Sequence, residues 1–538
     1  MLTLNLSSLS DGNGWACAGV RLPEYDVAAV RRAANEAPVW LHFGAGNIFR
    51  GFIARLQHEL LNKGLADKGV IAADTFDFEI IDRIYDSFDD LTLMVDLSAD
   101  GSVGKEVVAS VTEAIKADGS SASMERLKEI FAAETLQMVS FTITEKGYAL
   151  RSITGELLPA ARHDMENRPE EAMHAMGIVC ALLYHRWKSG GQPIALCSMD
   201  NCSHNGEKLC ESVTAIAKAW TDAGFIETGF MDYVTDPGKV SFPWSMIDKI
   251  TPRPAAVVEK LLTDDGIDGM SPITTAKGTY IAPFVNAEIP QYLVIEDVFP
   301  NGRPLLEMAG VYMTDRDTVN RTERMKVCTC LNPLHTALAV FGCLLGYKSI
   351  ASEMSDPELY ELVRRIGYTE GMPVVTDPGI IKPSDFLAEV IEHRLPNAFI
   401  PDTPQRIACD TSQKIPIRFG ETIKAYIESD SLDVTTLQAI PLAIAGWLRY
   451  LLGVDDALEP MPISSDPMLP ELKKQLDGIS VGCTEINSAQ LDAILSNKQL
   501  FGADLCECGL AEKIKSMLRS MLEGRGAVRR TLKSHLAY

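Results

Sequence analysis

The sequence predicts two kinds of domain in series: an α/β domain on a doubly wound, mostly parallel sheet, then a mainly helical one. Three observations carry this. The chain has 538 residues, more than one core of ordinary size supports. Its first part alternates short β-rich apolar runs with helical patterns, the signature of βαβ units. From about residue 317 helical patterns take over. The domains are drawn at 1–316, with the coenzyme site, and 317–538, with the catalytic and substrate groups.

The elements follow in order. "PVWLHFGAG" (38–46) is a strand running into glycines. "IFRGFIARLQHELLNKG" (48–64) is a helix whose Phe52, Ile53, Leu56, Leu60 and Leu61 recur at helical spacing, marking one buried face. "KGVIAAD" (68–74), "LQMVSFTIT" (136–144) and "QPIALCSMD" (192–200) are further strands. A mixed, loop-rich stretch runs from about Thr251 to Arg316. The second domain reads as helices at 333–347, 356–368, 383–395, 435–453 and 488–500, and the tail 512–526 as an exposed amphipathic helix.

Composition narrows the function. With 46% hydrophobic and 23% charged residues, the chain looks like an ordinary globular protein. A net charge of −23 argues against a nucleic-acid partner, whose phosphates need a basic surface. "MLTLNLSSLSDGNGW" has no basic n-region or long apolar run, unlike a signal peptide. The most apolar stretch, from Ile440, is interrupted by Arg449 and reads as a buried helix, so we expect no membrane span and a cytoplasmic location. Twelve scattered cysteines then stay reduced and pack as small hydrophobes. Oligomeric state is open between a monomer and a small homo-oligomer.

"LHFGAGNIFRG" (41–51) follows a strand and opens a helix. Gly44 and Gly46 are the first two glycines of GxGxxG, allowing a tight turn and close approach to a pyrophosphate. Asn47, Ile48 and Phe49 open the helix and offer unpaired N–H groups to the anion. Phe49 stands where the third glycine belongs, and Arg50 beside it is placed for a charge-assisted phosphate contact. Asp74 ends the next strand, with Asp77 close behind; one of them is expected on a ribose hydroxyl, favouring NAD over NADP.

"KVCTCLNPLHTAL" (326–338) has two readings. Cys328, Cys330 and His335 make a metal site, or Lys326 and His335 move protons while the cysteines fill space. The CxC spacing, repeated at Cys506 and Cys508, is not that of a zinc ribbon, so no metal is expected. Reducing a ketone needs a hydride on carbon and a proton on oxygen. A lysine supplies the proton if burial brings its pKa toward neutrality, and Asn332 and His335 suit an oxyanion-hole role. Glu323 is either a proton relay or a solvated helical charge.

An ordered set of blocks resembles the long-chain mannitol dehydrogenase family, which includes mannitol 2-dehydrogenases, fructuronate reductases and tagaturonate reductases. They are "HFGAGNIFRGF" (42–52), "TITEKGY" (142–148), "CSMDNCSHNG" (197–206), "FPWSMIDKITP" (242–252), "YLVIEDVFP" (292–300), "ERMKVCTCLNPLHTALA" (323–339) and "DTSQKIPIRF" (410–419). The resemblance implies a Rossmann-type first domain, a helical second one and metal-independent hydride transfer with NAD. It maps the catalytic lysine, asparagine and histidine onto Lys326, Asn332 and His335. It carries over Asn201, Asp248, Arg406 and Lys414 as substrate-binding positions, and Thr144 and Glu145 as coenzyme-binding ones. Two departures stand out. Lys326 lies six residues before Asn332 where relatives have five, and a helix restarting at Pro333 is expected to absorb the extra one. Trp244 replaces an asparagine of the family block.

Arg406 and Lys414 suit an anionic substrate end or form a structural ion pair. Cys409 stands where mannitol dehydrogenases tend to have histidine. The resemblance thus points to NADH-dependent interconversion of D-fructuronate and D-mannonate. Tagaturonate reduction and a neutral polyol pair such as mannitol and fructose are the alternatives.

Overall fold

A computed structural model describes residues 1–536 except 99, 120, 153, 401 and 484–486. The chain divides into two compact units, Met1–Asn320 and Arg321–Tyr538.

Six parallel strands form the central sheet of the first unit: β1 (Trp40–Phe43), β2 (Val70–Asp74), β3 (Val111–Lys116), β4 (Met138–Phe141), β5 (Ile194–Ser198) and β6 (Val240–Ser241). They lie in the order β3-β2-β1-β4-β5-β6, that of a dinucleotide-binding sheet, with the winding reversing between β1 and β4. β1, β2, β4 and β5 are buried at every position, as strands covered on both faces must be. Alternation sorts their side chains. Leu41, Phe43, Ile71, Val139 and Leu196 enter one apolar cluster, while Trp40, Val70, Ala72, Met138 and Ala195 enter the other. On the second face lies α1 (Ala54–Asn62), with Leu56 and Leu60 in that cluster, and α2 (Ala175–Lys188) puts Leu182 and Leu183 into the first.

The two strands absent from the sequence reading, β3 and β6, are the sheet's edges. β3 is only half covered and β6 is two residues long, so neither shows the continuous apolar run of a central strand. The stretch read as loop-rich also holds strands. Phe284–Glu288 pairs in parallel with Thr92–Leu97, and Tyr292–Glu296 pairs with Ser245–Asp248. Their partners lie far off in sequence, so nothing local announces them.

The second unit is helical. α3 (Asn332–Leu345), α4 (Thr411–Arg418), α5 (Ala439–Tyr450) and α6 (Ala511–Met521) are its relevant helices. α5 is buried at every residue. It packs against α3 through Gly446, where a Cβ would lie 2.5 Å from the Phe341 ring. Arg449 survives inside α5 because its guanidinium donates to the carbonyls of Val454 (2.6 Å) and Asp455 (3.0 Å). The tail helix corrects an expectation. α6 is amphipathic but not exposed: Ile514, Met517, Leu518 and Met521 are buried, and it packs on α5. Among the described residues, the 30-residue helical run Arg316–Leu345 is long and apolar enough to pass for a membrane span. Its most apolar window is 83% buried, as in a core helix.

Candidate active site

β1 delivers the glycine turn to the carboxyl end of the sheet, next to the reversal point where such folds bind dinucleotides. Gly44 has φ +105°, and a Cβ there would lie 2.2 Å from the Thr142 carbonyl oxygen, so only glycine fits. Gly46 has open space on its Cβ side, leaving the backbone approachable. The N–H groups of Gly46, Asn47 and Ile48 open the helix and by position have no intrahelical acceptor. The Asn47 amide oxygen is buried and without a partner among the described residues.

Phe49, at the third glycine position, stacks on His42 with ring centroids 4.2 Å apart. The chain then passes through a π turn, Phe49–Ile53, before α1. The close-packing glycine comes two residues later, for a Cβ on Gly51 would lie 2.7 Å from Val285. Arg50 corrects a prediction. It is wholly buried, donating to the carbonyls of Ala282 (2.7 Å) and Pro283 (2.8 Å) and to Thr92 Oγ1 (3.1 Å). Burial pulls its pKa down to about 10. It anchors the helix to the neighbouring sheet rather than meeting a phosphate.

Two buried carboxylates hold the loops on either side of the reversal point. Asp74, ending β2, accepts the Ala45 N–H of the glycine turn (3.0 Å) and those of Phe76 (2.7 Å) and Asp77 (2.8 Å). Asp200, just after β5, accepts the N–H groups of Ile143 (2.8 Å) and Thr144 (3.0 Å) and the Tyr148 hydroxyl (2.6 Å). Burial raises the pKa of both. Each strand-end acid thus pins the loop that follows the neighbouring strand nearer the reversal point. Asp74 is therefore a brace for the glycine turn rather than an exposed ribose acceptor. Asp77 is also buried, receiving the Thr275 hydroxyl at 2.6 Å. The place of Asp200 just beyond a strand, matching that of Asp74, is the sequence signal for this bracing role.

Thr144 has φ +64°, a left-handed conformation that a β-branched residue adopts only when held, and Asp200 holds it. Glu145 is exposed and pairs with Lys208. Asn201 lies on the exposed loop after β5, and Asp248 is buried at the end of the strand Ser245–Asp248. Trp244 precedes that strand with its indole between the His204 ring (4.6 Å) and the Arg316 guanidinium (4.9 Å). It walls a cavity of about 790 Å³ with Gly206, Cys210, Phe242 and Glu296.

In the second unit Lys326 is 2% exposed and sits on a π turn, Met325–Cys330. The Leu331 N–H donates to the Lys326 carbonyl (3.1 Å), one residue farther than an α bond. The π turn before Leu331 takes up the extra residue between Lys326 and Asn332, and the helix restarts at Asn332 with Pro333 in its first turn, as expected. The His335 N–H then donates to the Leu331 carbonyl (3.2 Å), the first bond of α3. Cys328 and Cys330 are buried, and burial raises their thiols to about 11 and about 12, away from the thiolate a metal takes. Among the described residues no three His, Cys, Asp or Glu side chains gather where they could hold a metal ion.

The His335 imidazole is held well below its ordinary pKa by burial. Asp402 opposes this, while Arg418, Arg394 and Arg406 add to it. Arg418, on α4, donates from Nη1 to Thr336 Oγ1 (2.8 Å) and toward the Asn332 carbonyl (3.5 Å), tying α4 to the start of α3. It lies inside the block "DTSQKIPIRF", yet neither it nor Arg394 was named from the sequence. The carried-over Arg406 is mostly exposed and pairs with Asp402, the ion pair foreseen as an alternative. Lys414 donates to the carbonyls of Ile407 (2.9 Å) and Cys409 (2.5 Å), closing the turn before α4.

Comparison with known proteins places this architecture. Residues 39–308 match the mannitol dehydrogenase Rossmann domain, and residues 318–522 match the mannitol dehydrogenase C-terminal domain. The chain is 52% identical to a D-mannonate oxidoreductase of Thermotoga maritima, over 99% of this chain and 98% of that one. Among solved structures it is similar to a substrate-free D-sorbitol dehydrogenase, with 25% identity, TM-score 0.81, and 99% of this chain and 100% of that one covered. It is also similar to the Pseudomonas fluorescens mannitol 2-dehydrogenase in ternary complex with NAD and D-mannitol, with 26% identity, TM-score 0.71 and 99% of each chain covered. The chain belongs to the mannitol dehydrogenase family.

Proposed function

We propose that this enzyme is an NAD-dependent hexuronate oxidoreductase interconverting D-fructuronate and D-mannonate. The observation that carries the substrate class is the charge around His335. Arg418, Arg394 and Arg406 all bear on its charge against one carboxylate, Asp402, which is itself paired with Arg406. A neutral polyol gains little from such surroundings, whereas a substrate carboxylate matches arginine in charge and geometry. The 52% identical relative is named for the same sugar acid.

The glycine turn fits the coenzyme. Gly46 leaves its backbone open, the helix start presents N–H groups to a pyrophosphate, and the unpartnered Asn47 amide oxygen suits a hydroxyl donor. When bound, the nicotinamide exchanges a hydride with the substrate carbon. Lys326 protonates the ketone oxygen as it gains negative charge, and takes the proton back in the oxidative direction. Asn332 and His335 hydrogen-bond that oxygen. Because His335 is held neutral at physiological pH, its ring donates one N–H without adding a charge. Asn201 and Asp248 contact sugar hydroxyls. No metal takes part.

We place the enzyme, with its twelve scattered cysteines, in a reducing, cytoplasmic compartment, as a monomer or small homo-oligomer. A substrate panel with NADH tests the proposal. We expect kcat/KM for fructuronate to exceed that for fructose at least about 100-fold, the scale of a lost charge-assisted contact. Turnover of neutral ketoses alone overturns the uronate assignment; a preference for tagaturonate overturns only its stereochemistry.

A further inference from the structure

In doubly wound sheets the loop after the second strand lies at the adenosine ribose. Here Asp74 is turned inward onto backbone N–H groups, so other side chains form the rim. Phe76 stands 64% exposed directly after β2. The hairpin that joins Ile273–Thr274 to Tyr280–Ile281 is fastened beside it. Thr275 donates to the buried Asp77 (2.6 Å), and the Ala276 N–H donates to Glu79 (2.9 Å). Within the tip, Thr275 and Thr279 close on each other and Gly278 takes φ +82°, which fixes the turn. The exposed Lys277 ammonium is thereby carried over the Phe76 ring, 5.3 Å from its centroid.

The charges on this rim are unevenly matched. Arg83 is paired with Glu79, and Lys116 with Asp82. Among the described residues Lys277 has no carboxylate partner; its contact is the aromatic face. An exposed phenyl ring beside an unneutralised ammonium, both on backbone held by hydrogen bonds to Asp74, Asp77 and Glu79, is an arrangement for a flat base and an anion.

We propose that Phe76 and Lys277 form the adenosine end of the coenzyme site. Phe76 is the platform for the adenine ring, and Lys277 is the cation that decides how far NADP can replace NAD, by receiving a 2′-phosphate. The proposal rests on the reading that the glycine turn holds a dinucleotide.

Binding titrations on the full-length enzyme test it, following quenching of protein fluorescence by NADH and by NADPH. Both substituted side chains are exposed, so the variants fold as the parent does. For Lys277→Glu we expect NADPH affinity to fall at least about tenfold and NADH affinity to change less than about twofold, since NADH lacks the charge that Lys277 meets. For Phe76→Ala both coenzymes weaken by about fivefold or more, as a lost base stack costs. If the parent binds neither coenzyme, the dinucleotide reading itself falls. If the parent binds NADH while Lys277→Glu shifts both coenzymes equally or Phe76→Ala shifts neither, the subsite assignment falls and the dinucleotide reading stands.

Discussion

At the scale of single residues, the proposed mechanism turns on Lys326. An ammonium 2% exposed is costly to bury and needs a reason to be there. Replacing Lys326 with Ala removes the proposed proton donor and leaves the residues of the glycine turn unchanged. We expect kcat to drop about 10³-fold, the ordinary worth of a positioned acid–base, while NADH still quenches the variant's fluorescence with the parent's affinity. Retained turnover would give the proton to another group. The candidate set Lys326, Asn332 and His335 could be proposed from sequence because its spacing is local and all three lie within ten residues. Arg50 was not. Its charge is visible in the sequence, but its carbonyl acceptors on Ala282 and Pro283 lie more than two hundred residues away. Asp74 was misread likewise, because a carboxylate at a strand end looks the same whether it faces a ribose or caps its own loop.

At the scale of elements, the turn under Lys326 explains how an insertion is tolerated. A π turn holds one residue more than an α turn, so six-residue spacing brings Lys326 where five-residue spacing would bring it in a regular helix. Deleting Cys328 should close the π turn to α geometry and keep Lys326 on the same face, with turnover within about tenfold of the parent. Deleting Leu334 instead rotates His335 by about 100° relative to Lys326, and turnover should vanish. Circular dichroism on both deletions separates misplacement from misfolding; a folded but inactive Cys328 deletion refutes the register argument. The same scale shows what pattern reading reaches. Central strands announce themselves because both faces are covered. The edge strands β3 and β6 and the strand Phe284–Glu288 depend on partners the local sequence does not name. The tail helix α6 showed its amphipathic face but not the α5 surface that covers it.

At the scale of the whole molecule, buried ionisable groups set how stability responds to pH. Burial raises the carboxyls of Asp74, Asp200, Glu353 and Glu370, and Asp90 to about 6. It lowers His42 to about 3 and His58 to about 4. The two sets oppose each other. The histidines take up protons in the unfolded chain first, so their contribution is lost as pH falls below the ordinary imidazole value. The carboxyls keep protons in the folded chain that the unfolded chain has released, so theirs is lost as pH rises above the ordinary carboxyl value. Glu353 isolates the second effect. It is fully buried, neither oxygen has a partner among the described residues, and it abuts α3 at Gly342, where a Cβ would lie 1.9 Å from Oε1. Above about pH 4.3 the folded chain retains the Glu353 proton, at a cost of up to about 1.4 kcal/mol per pH unit until the raised folded value is reached. Glu353→Gln keeps the shape and removes the ionisation. Its Tm should match the parent's near pH 4.5 and exceed it by a margin that widens toward pH 8, roughly 2–4 °C for each kcal/mol in a unit of this size. A Tm difference that stays flat between those pH values would mean that Glu353 is ionised in the folded chain and that a counter-charge or water reaches it.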